Sequence, residues 1–128
     1  MVGIVVVSHS KQAAEGICEI ASEMGGDEGL VPVGGDPDGG IGTSPEPIQQ
    51  AIETADDGGV VVLVDLGSAV MNAELAIEMA DIDAETVTIA DAPVLEGTLN
   101  AAVAATSPSA TVESVRGSAE DARGVSKI

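Results

Sequence analysis

The sequence predicts an α/β domain built on an open, mainly parallel sheet with helices on both faces, and three observations lead there. Short runs rich in β-branched residues, apolar throughout, alternate with segments of helical period. The connections between them carry glycine, proline and serine in clusters, as strand-to-helix loops do. The chain has 128 residues, 45% of them apolar and none aromatic, so one close-packed core of Val, Ile, Leu, Met and Ala is expected over residues 1–128.

The first strand is expected at residues 2–7, where VGIVVV shows no polar alternation and therefore reads as buried on both faces. A helix follows, with Ala13, Ile17, Ile20, Ala21 and Met24 as its apolar stripe. The second strand is expected at residues 30–33, and the second helix carries Ile48, Ala51, Ile52 and Ala55 on one face. Between them lies GGDPDGGIGTSPEP, residues 34–47, whose five glycines and three prolines exclude a helix or a central strand; a loop of that length in a small domain is functional or disordered. The third strand is expected at residues 60–64 and the third helix presents Val70, Ala73, Ala76, Ile77 and Ala80. A fourth strand is expected at residues 86–90, a fourth helix at about residues 98–105 and a last one at about residues 112–122; the less apolar tail from Arg116 is expected to fray at its end.

Charge excludes several functions. With 22 acidic against 4 basic residues the net charge is −18, which repels a nucleic-acid backbone, and no aromatic side chain is present to stack on bases. The acids are scattered over helices and loops, the pattern of a surface adapted to high salt, where repulsion is screened within roughly 3 Å at 1 M. Cys18 is the only cysteine, so no intrachain disulfide forms and a buried structural thiol is expected. The longest apolar runs, residues 4–7 and 60–64, are too short to cross a membrane and no leader pattern precedes them; a cytoplasmic location is the expectation.

Ligands of open parallel sheets gather beyond the carboxyl ends of the strands, at the point where strand order reverses. Ser8-His9-Ser10, the glycine loop and Asp65-Leu66-Gly67-Ser68 all fall at such ends, and a strand order 2-1-3-4 would set His9 opposite Asp65. The glycine loop lacks the lysine of a P-loop and the spacing of a dinucleotide site, though its amides and the hydroxyls of Thr43 and Ser44 suit a phosphoryl group. One His and one Cys do not make a common zinc site, so no metal is expected. A serine hydrolase lacks its G-x-S-x-G elbow, and His9 stands where a receiver domain carries its acidic cluster. A lone histidine at a helix start is ordinarily a solvated surface residue, and an Asp after a strand is ordinarily a helix cap or turn residue. Against that, a neutral imidazole is a good nucleophile near pH 7, and a carboxylate on its other nitrogen fixes the tautomer, a role open to Asp65.

Four segments in order, VVVSHS with AEGI, GGIGTS, VDLGSAVMNAELA and DAPVLEGTL, closely resemble the phosphotransferase subunits of phosphoenolpyruvate-dependent dihydroxyacetone kinase, the DhaM family, over about residues 2–105. The resemblance implies the fold of a mannose-family enzyme IIA domain with strand order 2-1-3-4. It implies a homodimeric, cytoplasmic phosphocarrier of glycerol metabolism with no bound cofactor, the phosphoryl group riding covalently on histidine. The donor would be the phosphohistidine of HPr and the acceptor ADP on the partner DhaL, whose ATP then phosphorylates dihydroxyacetone on DhaK. Residue by residue, the phosphorylated histidine would be His9 and the orienting carboxylate Asp65; Gly42, Thr43, Gly67 and Ser68 would cradle the phosphoryl group. Lys11, alone among acids up to Arg116, would attract the partner. Some members carry HPr-like or enzyme I-like extensions, and since these 128 residues reach neither, a separate HPr is expected. The alternatives are a mannose-class sugar-transport IIA passing phosphate to a IIB domain, or a non-catalytic regulator of the same fold. The transport proteins carry D-x-x-G-G-S-P after the third strand, where this chain reads DLGSA.

Overall fold

A computed structural model describes all residues, 1–128. Its sheet has four strands, β1 (Gly3–Ser8), β2 (Leu30–Gly34), β3 (Val60–Val64) and β4 (Val87–Ile89), in the order β2-β1-β3-β4. Every pairing is parallel, with Val7 beside Val33 on one side and Val64 on the other. The expected order is thus correct. The helices are α1 (Lys11–Gly25), α2 (Pro45–Ala55), α3 (Ser68–Met79), α4 (Val94–Ala104) and α5 (Val112–Asp121).

Strand geometry sends alternate side chains to opposite faces, and the core divides accordingly. Ile4, Val6, Val61 and Leu63 meet α1, α4 and α5 on one face; Val5, Val7, Val60 and Val62 meet α2 and α3 on the other. Each fully buried branched side chain contributes roughly 1.5–3 kcal/mol, so β1 and β3, buried almost throughout, anchor the strand ends that carry the site. β2 is an edge strand, where Pro32 is tolerated for want of an N–H.

Three expectations need correction. On α1 the buried face is Ala14, Cys18 and Ala21, while Ala13, Ile20 and Met24 of the expected stripe lie exposed. Ala21 and the half-buried Ile17 of that stripe do pack against this core, and α1 approaches α4 so closely at its end that a Cβ on Gly25 would stand 2.5 Å from the carbonyl oxygen of Ala102. Cys18 is buried as expected, and burial pushes its thiol up to about 11. The fourth strand is shorter than expected because Asp83 accepts the Glu85 amide (3.0 Å) and its carbonyl takes the Thr86 hydroxyl (2.7 Å), winding Ala84–Thr86 into a 3-10 turn. The fourth helix begins at Val94, directly after Pro93, four residues before the expected start at Thr98.

Gly34 ends β2 against the turn that carries His9. A Cβ there would stand 2.5 Å from the Ser8 carbonyl oxygen and 2.9 Å from that of Ser10, both backbone atoms that cannot swing away. Gly34→Ala is expected to destabilise the fold by about 1–3 kcal/mol, the range for overpacking. Urea unfolding at pH 7 measures it; an unchanged midpoint would show that the β1 end has room to shift.

Candidate active site

The strand order reverses at β1 and β3, and the two chains leave the sheet side by side. The Asp65 amide extends the ladder by one bond, to the Val7 carbonyl at 3.0 Å, so the residue after β3 is locked beside the end of β1. Asp65 then receives three bonds from the turn after β1. Ser8 Oγ donates to its Oδ2 (2.9 Å), the His9 amide donates to the same oxygen (2.9 Å), and His9 Nδ1 lies 3.0 Å from Oδ1. Ser8 is itself buried and its oxygen accepts the Ser10 amide at 3.0 Å.

These contacts determine both charge and tautomer. Burial pushes the Asp65 carboxyl up, but the bonds from the His9 amide, the His9 ring and the Ser8 hydroxyl outweigh it and hold the group below its usual range. An ionised carboxylate only accepts, so Nδ1 carries the ring proton and Nε2 keeps its lone pair. The Ser68 hydroxyl, 3.0 Å from Nε2, is then the donor to it. About a fifth of the His9 side chain is exposed.

The remaining expected residues are distributed around this pair. Gly42, at φ 151, turns the glycine loop back so that its amide donates to the His9 carbonyl (2.9 Å). Thr43 follows it, half-buried, and receives the side-chain amide of Asn72. Gly67 precedes α3; its backbone is in the helical region, a Cβ there would meet nothing within 4 Å, and its amide makes no bond inside the chain. Lys11 is the first, exposed residue of α1. Arg116, Arg123, Lys127 and the N-terminus each pair with a carboxylate and Lys11 with none. Asn72 escapes the sequence reading as a site residue, and Ser8 enters it only as part of the Ser8-His9-Ser10 strand end, not as a donor to Asp65. Ser8 was legible as the polar end of an apolar strand, and Asn72 as the residue one helical turn beyond Ser68.

Beside Asp65 a hollow of about 490 Å³ opens between α3 and the end of β4, lined by Leu66, Val70, Glu74, Ile89 and Asp91. Its charged groups are all carboxylates. No group of three or more His, Cys, Asp or Glu residues is arranged to hold a metal ion, and no helix is long and apolar enough to cross a membrane.

An open parallel α/β domain with a carboxylate-oriented histidine at its switch point is the class that this geometry defines. A family model described as EIIA-man, PTS system fructose IIA component, matches residues 3–116, and the chain belongs to that family, within which its relatives are DhaM subunits. The phosphoryl donor subunit DhaM of the PEP-dependent dihydroxyacetone kinase of Pantoea ananatis (strain LMG 20103) is 43% identical over 111 residues, covering 82% of this chain and 24% of that one. The chain thus spans about a quarter of that relative. The phosphoryl donor subunit DhaM of kinase 1 of Listeria innocua serovar 6a is 39% identical over 95 residues, 74% of each chain. A crystal structure of a protein of unknown function superposes with a TM-score of 0.78 at 34% identity, covering 94% of this chain and 93% of that one.

Proposed function

We propose that the chain is a phosphohistidine carrier, the phosphoryl donor subunit of a dihydroxyacetone kinase. His9 accepts the phosphoryl group from the phosphohistidine of HPr and passes it to ADP held by DhaL, whose ATP serves DhaK. The observation that carries this reading is the imidazole oriented on Nδ1 by Asp65, with its lone pair on Nε2 facing the Ser68 hydroxyl at 3.0 Å. In the first step the Nε2 lone pair attacks phosphorus while the P–N bond to the donor imidazole breaks and its electron pair returns to the donor ring. Asp65 keeps the proton on Nδ1 and offsets the positive charge that develops on the His9 ring. In the second, an oxygen of the ADP β-phosphate attacks phosphorus, the P–N bond to Nε2 breaks, and the neutral tautomer returns.

The anion is received by positive ends rather than side chains. The N-termini of α1 and α3 both follow the strand ends that meet here, the amides of Leu66 and Gly67 are free of partners within the chain, the Ser68 hydroxyl lies at His9 Nε2, and the Thr43 hydroxyl is held to α3 by Asn72. Lys11, the unpaired cation, draws the partner in. The neighbouring hollow supports a nucleotide bound on the partner rather than here, because Asp65, Glu74 and Asp91 would repel its phosphates. In this reading the chain works in the cytoplasm as a homodimer without a resident cofactor. Exposed apolar residues on α1 (Ile20, Met24) and α3 (Met71, Leu75, Met79) offer surface for association.

The test is reconstitution. With labelled phosphoenolpyruvate, enzyme I and HPr the chain should take up acid-labile phosphate, and DhaL with ADP should discharge it as ATP. Absence of uptake overturns the carrier reading; uptake discharged by a IIB domain and not by DhaL turns it to sugar transport.

The charge distribution adds an expected salt dependence. The ion pairs are exposed and weakened by solvent screening, so they do little against a net charge of −18. At about 0.01 M salt the Debye length is about 30 Å and the repulsion spans the domain. Measured in potassium chloride from about 0.01 M to about 3 M, the thermal midpoint should climb steeply up to roughly 1 M, where screening acts within about 3 Å. A flat or falling midpoint would show that the acidic surface is no salt adaptation.

A further inference from the structure

One face of α3 meets the site twice. Ser68, its first residue, reaches His9 Nε2, and Asn72, four residues on and hence on the same face, reaches the glycine loop. Asn72 Nδ2 lies 2.8 Å from Thr43 Oγ1 and 3.2 Å from the Thr43 carbonyl oxygen. A carbonyl oxygen only accepts, so the Asn72 amide must present its NH2 to Thr43, and its orientation follows from chemistry alone. Thr43 Oγ1 is therefore an acceptor in this contact. Its own proton is directed away from Asn72, and no group within the chain receives it.

The loop has little freedom to place that proton elsewhere. One residue before Thr43, the Gly42 amide is bonded to the His9 carbonyl, and two residues after it, Pro45 starts α2. Thr43 is thus held between the turn that carries His9 and the helix that carries Ser68. Half-buried, a hydroxyl with a committed lone pair and an uncommitted proton is available to donate to an anion.

We infer that Asn72 is a positioning residue for phosphoryl transfer: by holding the Thr43 carbonyl and hydroxyl oxygens together, it aims the Thr43 proton at an oxygen of the phosphoryl group on His9. The inference rests on the carrier reading of His9. Asn72 touches neither the imidazole nor the incoming group, and acts only through Thr43.

A double-mutant cycle separates this from a simple tether of loop to helix. Asn72→Ala, Thr43→Val and the double variant would each be phosphorylated with potassium phosphoramidate, in which the Nε2 lone pair attacks phosphorus, the P–N bond breaks and ammonia leaves. This donor needs no protein partner, so wild-type chain that takes up no phosphate at histidine refutes the carrier reading before any variant is measured. With wild type labelled, each single variant is expected to react about tenfold more slowly, the loss of roughly one hydrogen bond to an anion. The double variant should be no slower than Thr43→Val, and the phosphorus resonance of the phosphohistidine should shift alike in all three. Independent effects that multiply in the double variant would leave Asn72 a tether and overturn the inference, as would wild-type rates and resonance in Asn72→Ala. Should Asn72→Ala fail to fold, Asn72→Asp takes its place: its carboxylate accepts the Thr43 proton, so it must be at least as slow as Thr43→Val, and a wild-type rate there refutes the assignment.

Discussion

His9→Ala is expected to abolish phosphate uptake completely while leaving the fold in place. The histidine is the only one in the chain, and the phosphoryl group has no other nitrogen of comparable nucleophilicity to attack near pH 7. The fold should tolerate the loss because the residue's structural bonds are made by its backbone. The amide still donates to Asp65 Oδ2, the carbonyl still accepts from Gly42, and Ser8 still donates to Asp65, so the carboxylate is not left without donors. What disappears is the imidazole contact with Asp65 and with Ser68, at a partly exposed position. Acid-labile labelling and the far-ultraviolet circular dichroism spectrum measured on the same preparation check both halves. Labelling undiminished in the variant would move the chemistry away from His9.

Asp65→Asn is expected to slow phosphoryl transfer on the order of 10³–10⁴-fold, the scale on which a histidine held in the wrong tautomer loses activity. The network explains why an isosteric change should be so costly. Ser8 Oγ and the His9 amide both donate to Oδ2, and would hold the amide oxygen of the variant at that position. The NH2 then falls where Oδ1 stood, facing Nδ1, and the ring must accept there and carry its proton on Nε2. The nucleophile is thereby blocked. Single-turnover transfer separates this from binding, which should change little; a rate within a factor of about ten of wild type would show that Asp65 does not set the tautomer.

The same variant carries a pH signature. Because the folded-state value of Asp65 lies below its ordinary 3.8, the carboxylate stabilises the fold at and above that ordinary value. The contribution is lost as pH falls through the lower folded value, once the carboxylate is protonated in both states. Wild type should therefore exceed Asp65→Asn in stability at pH 7, and the difference should shrink well below about pH 4.

Much of this site was legible before any coordinates. His9 and Asp65 each follow an uninterrupted apolar run, and strand ends are where a parallel sheet exposes its chemistry, so both residues could be named from position and type. Residues with only a supporting part were harder to find. Ser8 reads as the last residue of a strand, yet its hydroxyl bonds Asp65 across 57 positions of sequence. Asn72 sits in an apolar helix pattern, and its partner Thr43 is 29 positions away in a loop with no period to read. The exposed face of α1 was misassigned for a related reason. Periodicity detects which residues share a face, but Ile20 and Met24 share one just as Ala14, Cys18 and Ala21 do.

By itself the sequence determined the alternation of strands and helices, the open parallel sheet and the strand-end placement of His9 and Asp65. These depend on side-chain period, β-branching and breakers, all of which act within a few residues of the chain. Only the tertiary structure decided which face of α1 is buried, which imidazole nitrogen keeps the lone pair, and which helix holds the glycine loop. The buried face of α1 is the one turned to α4, which it approaches so closely that a Cβ on Gly25 would stand 2.5 Å from the Ala102 carbonyl oxygen. The tautomer followed from an Asp65 carboxylate oriented by two other donors, and the loop's anchor from an amide on α3. Each is a hydrogen bond or contact between residues distant in the chain, and such a bond is specified by the angle and spacing of packed elements rather than by either residue's neighbours in sequence.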